Sequence, residues 1–201
     1  MARHINWFGL AAGIIILVVL VISFYIPWWQ LTIGENLIKV NVSPVNTNFG
    51  LFGTQFTIPL IWALNLVSIL TLTASGLVML FYSFMPTKSY SKQLLGFSYK
   101  KPLYLLVTFV AGLLVAILVA GLLGISIPFA GSTTLALPTK FTSGAEISAL
   151  VSGSFQLPFW LAIAAAALCI TARLYHARIT KLQKTAPVTV LNETATINVK
   201  V

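Results

Sequence analysis

The sequence predicts an all-α membrane protein: a bundle of four transmembrane helices carrying a small extracellular β-sheet built from the outer loops. Three observations predict it. The 201-residue chain is 58% hydrophobic and only 7% charged, whereas a soluble domain is about 25% charged. Its apolar residues gather into four stretches, each long enough for the roughly 20 residues that a bilayer crossing needs. Six prolines stand at the edges of those stretches. Pro27 closes the first, Pro59 and Pro86 bracket the second, Pro102 and Pro128 the third, and Pro158 opens the fourth. Proline lacks an N–H and clashes with the preceding turn, so it is tolerated best in a helix's first turn or just past its end.

The expected spans are about 7–27, 59–85, 103–128 and 158–178, within a membrane domain of residues 1–184. The second and third exceed the minimum, reach about 40 Å at 1.5 Å per residue, and must tilt or project beyond the hydrocarbon. The first span follows Arg3, is too long for a signal-peptide core, and has no small-residue cleavage site before Trp28 and Trp29. It is expected to remain as a signal anchor.

Charge sets the expected orientation. Twelve Lys and Arg stand against three acids, Glu35, Glu146 and Glu193, for a net charge of +9. Arg3, Lys88, Lys92, Lys100, Lys101, Arg173, Arg178, Lys181 and Lys184 fall on one side of the four spans, and only Lys39 and Lys140 on the other. The positive-inside rule places both termini in the cytoplasm of a cell-membrane protein, with the bases facing anionic lipid rather than nucleic acid. His4 and His176 read as interfacial residues on the inner side. Tyr25, Trp28, Trp29, Trp62, Phe159 and Trp160 are placed for an outer aromatic belt, and Trp7, Phe8, Phe81, Tyr82, Tyr104 and Tyr175 for an inner one.

The first outer loop, 28–58, contains two β-prone runs, 30–33 and 37–42, separated by Gly34, Glu35 and Asn36. They read as a hairpin, with further extended chain over 46–57. The second outer loop, 129–157, is rich in Ser, Thr, Gly and Ala and offers a strand near 133–137. Most loop polarity comes from groups that do not titrate, which suits an acidic exterior. Asn41-Val-Ser43 is a glycosylation sequon on the outer side; Asn192-Glu-Thr194 is a second, placed inside by the topology. The tail, 185–201, alternates β-branched and polar residues and reads as a hairpin or as disorder.

Chemistry is sparse. The central thirds of the spans contain no Asp, Glu, Lys, Arg or His, the residues on which proton relays, ion-coupled carriers and membrane catalysts depend. Cys169 stands alone, so it forms no intrachain disulfide and no cysteine metal site. The expectation is a non-enzyme with no cofactor, whose partners are membrane lipids and either other membrane-protein subunits or a second copy.

Two patterns concern packing. Asn65, Ser68, Thr71 and Ser75 share one face of the second span. Interhelical hydrogen bonding is the preferred reading, at about 0.6–2 kcal/mol per contact. Lining of a pore or quinone site, in a channel or carrier for a neutral or hydrophobic solute, is the alternative. Gly112, Ala116, Ala120 and Gly124 form a small-residue ridge on the third span, and Ala162 and Ala166 offer a matching surface on the fourth. Packing of spans 3 and 4 on each other is expected, with contact to another subunit as the alternative.

Four spans, inner termini and a β-prone first outer loop carrying Trp28-Trp29 and, further on, Gly50-Leu51-Phe52 resemble the claudin-like tetraspans, which include the peripheral myelin protein family. The cysteine pair of that loop is absent here. The resemblance implies a role in contact or assembly through the outer sheet. It also implies fold-supporting roles for Trp29, Gly50, Leu51 and Phe52, with Phe52 as an aromatic plug between sheet and bundle. The sparse chemistry, the small-residue stripes, the structured outer loop and the β-prone tail lead independently to a non-catalytic tetraspan that binds other proteins, as a contact protein or as the accessory subunit of a larger complex, an electron-transfer complex among them.

Overall fold

The computed structural model describes residues 5–34, 37–86, 88, 90–136 and 148–198, with side chains described through Thr180 except at 135 and 136. Arg3, His4, Glu35, Lys140 and Glu146 lie outside the described residues, as do the side chains of Lys181, Lys184, Asn192 and Glu193. Four helices, α1 (Trp7–Ile22), α2 (Pro59–Phe84), α3 (Ser91–Leu122) and α4 (Leu157–Asn198), enclose the core. α2, α3 and the Leu157–Thr180 part of α4 are long and apolar enough to cross a membrane.

α1 is apolar but only 16 residues long, about 24 Å. It ends five residues before Pro27, because the Ser23 hydroxyl turns back to the Val19 carbonyl (2.6 Å) and accepts a hydrogen bond from the Trp28 indole (2.7 Å). The chain then winds an irregular turn over 24–26 into the sheet.

α3 departs from the expected boundary in the other direction. It begins at Ser91, so Pro102 lies inside the helix rather than opening it. Leu95, Ser98, Tyr99 and Pro102 form its buried stripe, an amphipathic face whose lysines mask it in the sequence. An interior proline leaves the carbonyl four residues earlier without its N–H. That carbonyl belongs to Ser98, and the buried Ser75 hydroxyl of α2 donates to it at 2.6 Å, the kind of repair that makes proline tolerable in membrane helices. Ser75→Ala is expected to lower stability by about 1–2 kcal/mol by orphaning the carbonyl. Adding Pro102→Ala should recover it, because residue 102 then supplies the N–H. Equal losses in both backgrounds, measured by unfolding in detergent, would refute the link.

The backbone over 185–198 is part of α4, not the hairpin or irregular tail suggested by its alternating pattern. Extending an existing helix avoids the cost of nucleating new structure.

The strands β1 (Trp29–Ile33), β2 (Ile38–Val42), β3 (Asn48–Leu51), β4 (Thr54–Phe56), β5 (Gly131–Ala136) and β6 (Ser148–Phe155) form one antiparallel sheet in the order β4-β3-β2-β1-β6-β5. β1 alternates as period-two geometry requires. Trp29 and Leu31 point inward and pack with Val151 of β6 against Leu113 of α3. Thr32 points the other way and bonds Ser152. Gly153, opposite Leu31, has no room for a side chain, since a Cβ would collide with the Pro128 carbonyl oxygen.

Two interior clusters organise the bundle. Near the sheet, Val19, Trp28, Phe159 and Ala162 pack together, with Phe109 edge-on to Trp28. Toward the other end, Ala12, Ile16, Leu72, Met79, Tyr82, Leu95, Tyr99, Ala165 and Cys169 form a second. Trp28, Trp29, Phe159 and Tyr82 are therefore core residues rather than belt residues. Trp7, Tyr25, Trp62, Tyr104 and Trp160 do stand exposed.

Candidate functional site

Three features carry the residues singled out by the sequence: a polar node at the end away from the sheet, a cleft between α2 and α3, and the outer edge of the sheet.

The node is built on Asn6. Its Oδ1 accepts from Gly9 N–H and caps α1, while its Nδ2 donates to the Tyr82 hydroxyl at 3.0 Å and to the Ala172 carbonyl at 3.2 Å. Its backbone N–H donates to the Ser83 carbonyl. One fully buried side chain thus joins α1, α2 and α4. His176 packs edge-on to Tyr82, and its Nδ1 is buried without a hydrogen-bond partner among the described residues. It belongs to the core rather than to the interface. Arg173 lies over the Tyr99 ring and donates to its hydroxyl. The sequence reading passed over Asn6, although an Asn immediately before an apolar helical run is an N-cap signal.

The close helix seam also lies elsewhere than expected. Gly9 and Gly13 of α1 meet α2 so tightly that a Cβ would come within 2.6 Å of Ser83 Oγ and 2.7 Å of Leu80 Cδ2, respectively. A Cβ at Gly76 of α2 would come within 2.8 Å of Leu17 Cδ2. Gly9-Leu-Ala-Ala-Gly13 is a G-x-x-x-G pattern, which lets helix backbones approach. Ala162 and Ala166 are buried as expected, but α4 packs chiefly on α1 rather than on the α3 ridge. That ridge faces outward: Gly112, Ala116 and Gly124 are exposed, and a Cβ at Gly112 or Gly124 would meet nothing within 4 Å. Bulky Leu105, Leu106, Phe109, Val110 and Leu113 take the inner side of α3, which turns its small residues away from the bundle.

The cleft follows from that rotation. It measures about 860 Å³ and runs between α2 and α3 beneath the inner face of the sheet. The polar face of α2 is divided along it. The Asn65 amide clasps the loop between β2 and β3, donating to the Pro44 carbonyl at 3.3 Å and accepting from Thr47 N–H at 2.9 Å. Val45, between them, plugs into the bundle core. Ser75 repairs the α3 proline site. Ser68 and Thr71 line the cleft, facing Thr108, Gly112 and Ala116.

At the sheet edge, Leu51-Phe52-Gly53-Thr54 makes the turn between β3 and β4, with positive φ at both Phe52 (48°) and Gly53 (84°). Two-residue hairpin turns of this hand favour Asn-Gly or Gly-Gly. Phe52 is 75% exposed, so it is not a plug between sheet and bundle. Trp28 and Val45 occupy interior positions there. Leu37 and Leu51 are exposed beside it, Phe56 is exposed further along β4, and Phe52 N–H bonds the Leu37 carbonyl. Gly50 sits within β3, paired with Lys39. Asn41 lies mid-strand in β2 with its Nδ2 donating to Asn48 Oδ1 at 2.9 Å, so the sequon nitrogen is engaged in the folded sheet.

No protein-family model and no curated protein matches this chain.

Proposed function

We propose that the chain is a non-catalytic integral membrane protein of the cell membrane, with four helices across the bilayer and both termini in the cytoplasm, and that it works by binding another protein through the tip of its outer sheet. The partner is a subunit of a larger membrane complex or a second copy of the chain. In this reading α1 crosses together with the turn over 23–27, since about 24 Å of helix falls short of a hydrocarbon core of about 30 Å. The basic residues Lys88, Lys92, Lys100, Lys101, Arg173 and Arg178 belong to the end that carries Asn6, opposite the sheet, which supports that orientation. The likeness to claudin-like tetraspans is part of the same reading, with Trp28 and Trp29 as its structural anchors.

One observation carries the proposal. Phe52 is an aromatic residue held at positive φ with its ring exposed. Left-handed backbone costs a non-glycine residue about 1–2 kcal/mol, and an exposed apolar cluster is a mark of an interaction site. Both costs are offset if the ring is buried in a partner. Phe52→Asn should therefore leave the protein as stable or slightly more stable, while abolishing partner retention in a mild-detergent purification from native membranes. Unchanged retention would overturn the reading.

A further inference from the structure

We propose that the cleft between α2 and α3 is a site for one anionic phospholipid, with its acyl chains along the cleft and its headgroup at Lys101. The inference rests on the reading that α2 and α3 cross the bilayer, but not on the sheet-tip contact.

The lining of the cleft is polarised. Its walls are mainly Leu105, Phe109, Leu113, Ile117, Leu64 and Val67 with the small residues Gly112 and Ala116 and the uncharged hydroxyls of Ser68, Thr71 and Thr108, and its roof is Trp29, Leu31 and Val40 of the sheet. Among the described residues Lys101 is the one charged residue that lines it, at the end away from the sheet, with Tyr104 also in the lining. From Lys101 to Ile117 is sixteen residues of α3, about 24 Å, which exceeds a half-bilayer of about 15 Å of hydrocarbon. The occupant is accordingly long, apolar and polar at one end. Its volume lies within the roughly 300–1,000 Å³ of small-molecule sites.

Charge selects the headgroup. The chain contains three acidic side chains, and none is in α2, in α3 or in the connection between them. Lys88, Lys92, Lys100 and Lys101 lie on these segments without a carboxylate among them. The Lys101 ammonium lies 5.6 Å from the centre of the Phe97 ring. An anionic headgroup at this position complements the charge of these segments, and juxtamembrane lysines favour such lipids. The α1–α2 seam supplies the contrast. There the glycines are filled by Leu17, Leu80 and Ser83, whereas at Gly112 the space is open.

The test uses the full chain purified in detergent, incubated with phosphatidylglycerol or phosphatidylcholine and measured by intact-complex mass spectrometry. The expected result is one phosphatidylglycerol retained per chain, preferred over phosphatidylcholine by about fivefold for each lysine engaged. Lys101→Gln should erase most of the preference while a lipid is still retained. Gly112→Leu should abolish retention of both lipids with an unchanged unfolding midpoint, because its first side-chain atom meets open space. Equal retention of the two lipids, or undiminished retention by the Gly112→Leu variant, overturns the site, as does a protein dimer that holds no lipid. Release of the protein from native membranes by an alkaline wash would instead overturn the membrane reading beneath it.

Discussion

Asn6→Ala is expected to destabilise the protein by about 2–4 kcal/mol, one of the two largest effects of any single substitution considered. The helix cap accounts for about 1 kcal/mol of this. The rest is the cost of leaving the buried Tyr82 hydroxyl without its donor and of losing the tie to the Ala172 carbonyl, about 1–3 kcal/mol. The side chain is fully buried and its amide donates to two other helices, so water cannot replace what is removed. Asn6→Ser separates the two contributions, since serine also caps a helix but cannot reach across to α2 and α4. It should fall between alanine and the natural chain. Tyr82→Phe leaves the amide one acceptor at Ala172 and should cost only about 1 kcal/mol. Denaturant or thermal unfolding in detergent measures all three, and an alanine variant as stable as the natural chain would show that the node does not hold the helices together.

Gly13→Ile is expected to be at least as damaging. The first side-chain atom alone would lie 2.7 Å from Leu80 Cδ2 and 3.1 Å from the Leu80 backbone nitrogen. A side chain can rotate away but a helix backbone cannot, so α1 and α2 must separate along the seam. Overpacking typically costs 1–3 kcal/mol, and here the close contacts at Gly9 and Gly76 are lost with it. The expected readout is a large drop in folded, monodisperse yield and in unfolding midpoint. Gly112→Ile is the control. It is the substitution that the small-residue ridge recommends from sequence, yet it points into open space and should leave folding intact. Reversal of that order would mean that the ridge, not the α1–α2 seam, is the site of close helix contact.

The two glycine patterns show how far the sequence was legible. Gly112, Ala116, Ala120 and Gly124 form a longer and more regular stripe than Gly9 and Gly13, and a small-xxx-small pattern states only that a backbone can be approached. Which stripe is used depended on the bulky residues. Leu105, Phe109 and Leu113 turn α3 so that its smooth face looks away from the bundle. Asn65 and Ser75 were legible as polar residues in an apolar helix; Ser75 makes an interhelical hydrogen bond, whereas Asn65 bonds a loop. Their partners were not legible, because one is a loop and the other a carbonyl exposed by a proline twenty-seven residues away in sequence. Phe52 was misplaced for a simpler reason. The resemblance alone assigned it an interior role, and the positive-φ turn points its ring outward.

What the sequence determined by itself is the class of molecule: apolar helices of membrane-crossing length, and β-prone chain in the loop after the first helix and near 133–137. Those follow from composition and local periodicity, which act within a few residues of chain. The tertiary structure alone decided where α1 stops, that α3 passes through Pro102, which glycines meet another helix, and that a polarised cleft is left between α2 and α3. Each depends on groups far apart in sequence, Ser23 with Trp28, Ser75 with Ser98, Gly13 with Leu80, and close packing admits one set of such pairings where the local pattern allows several.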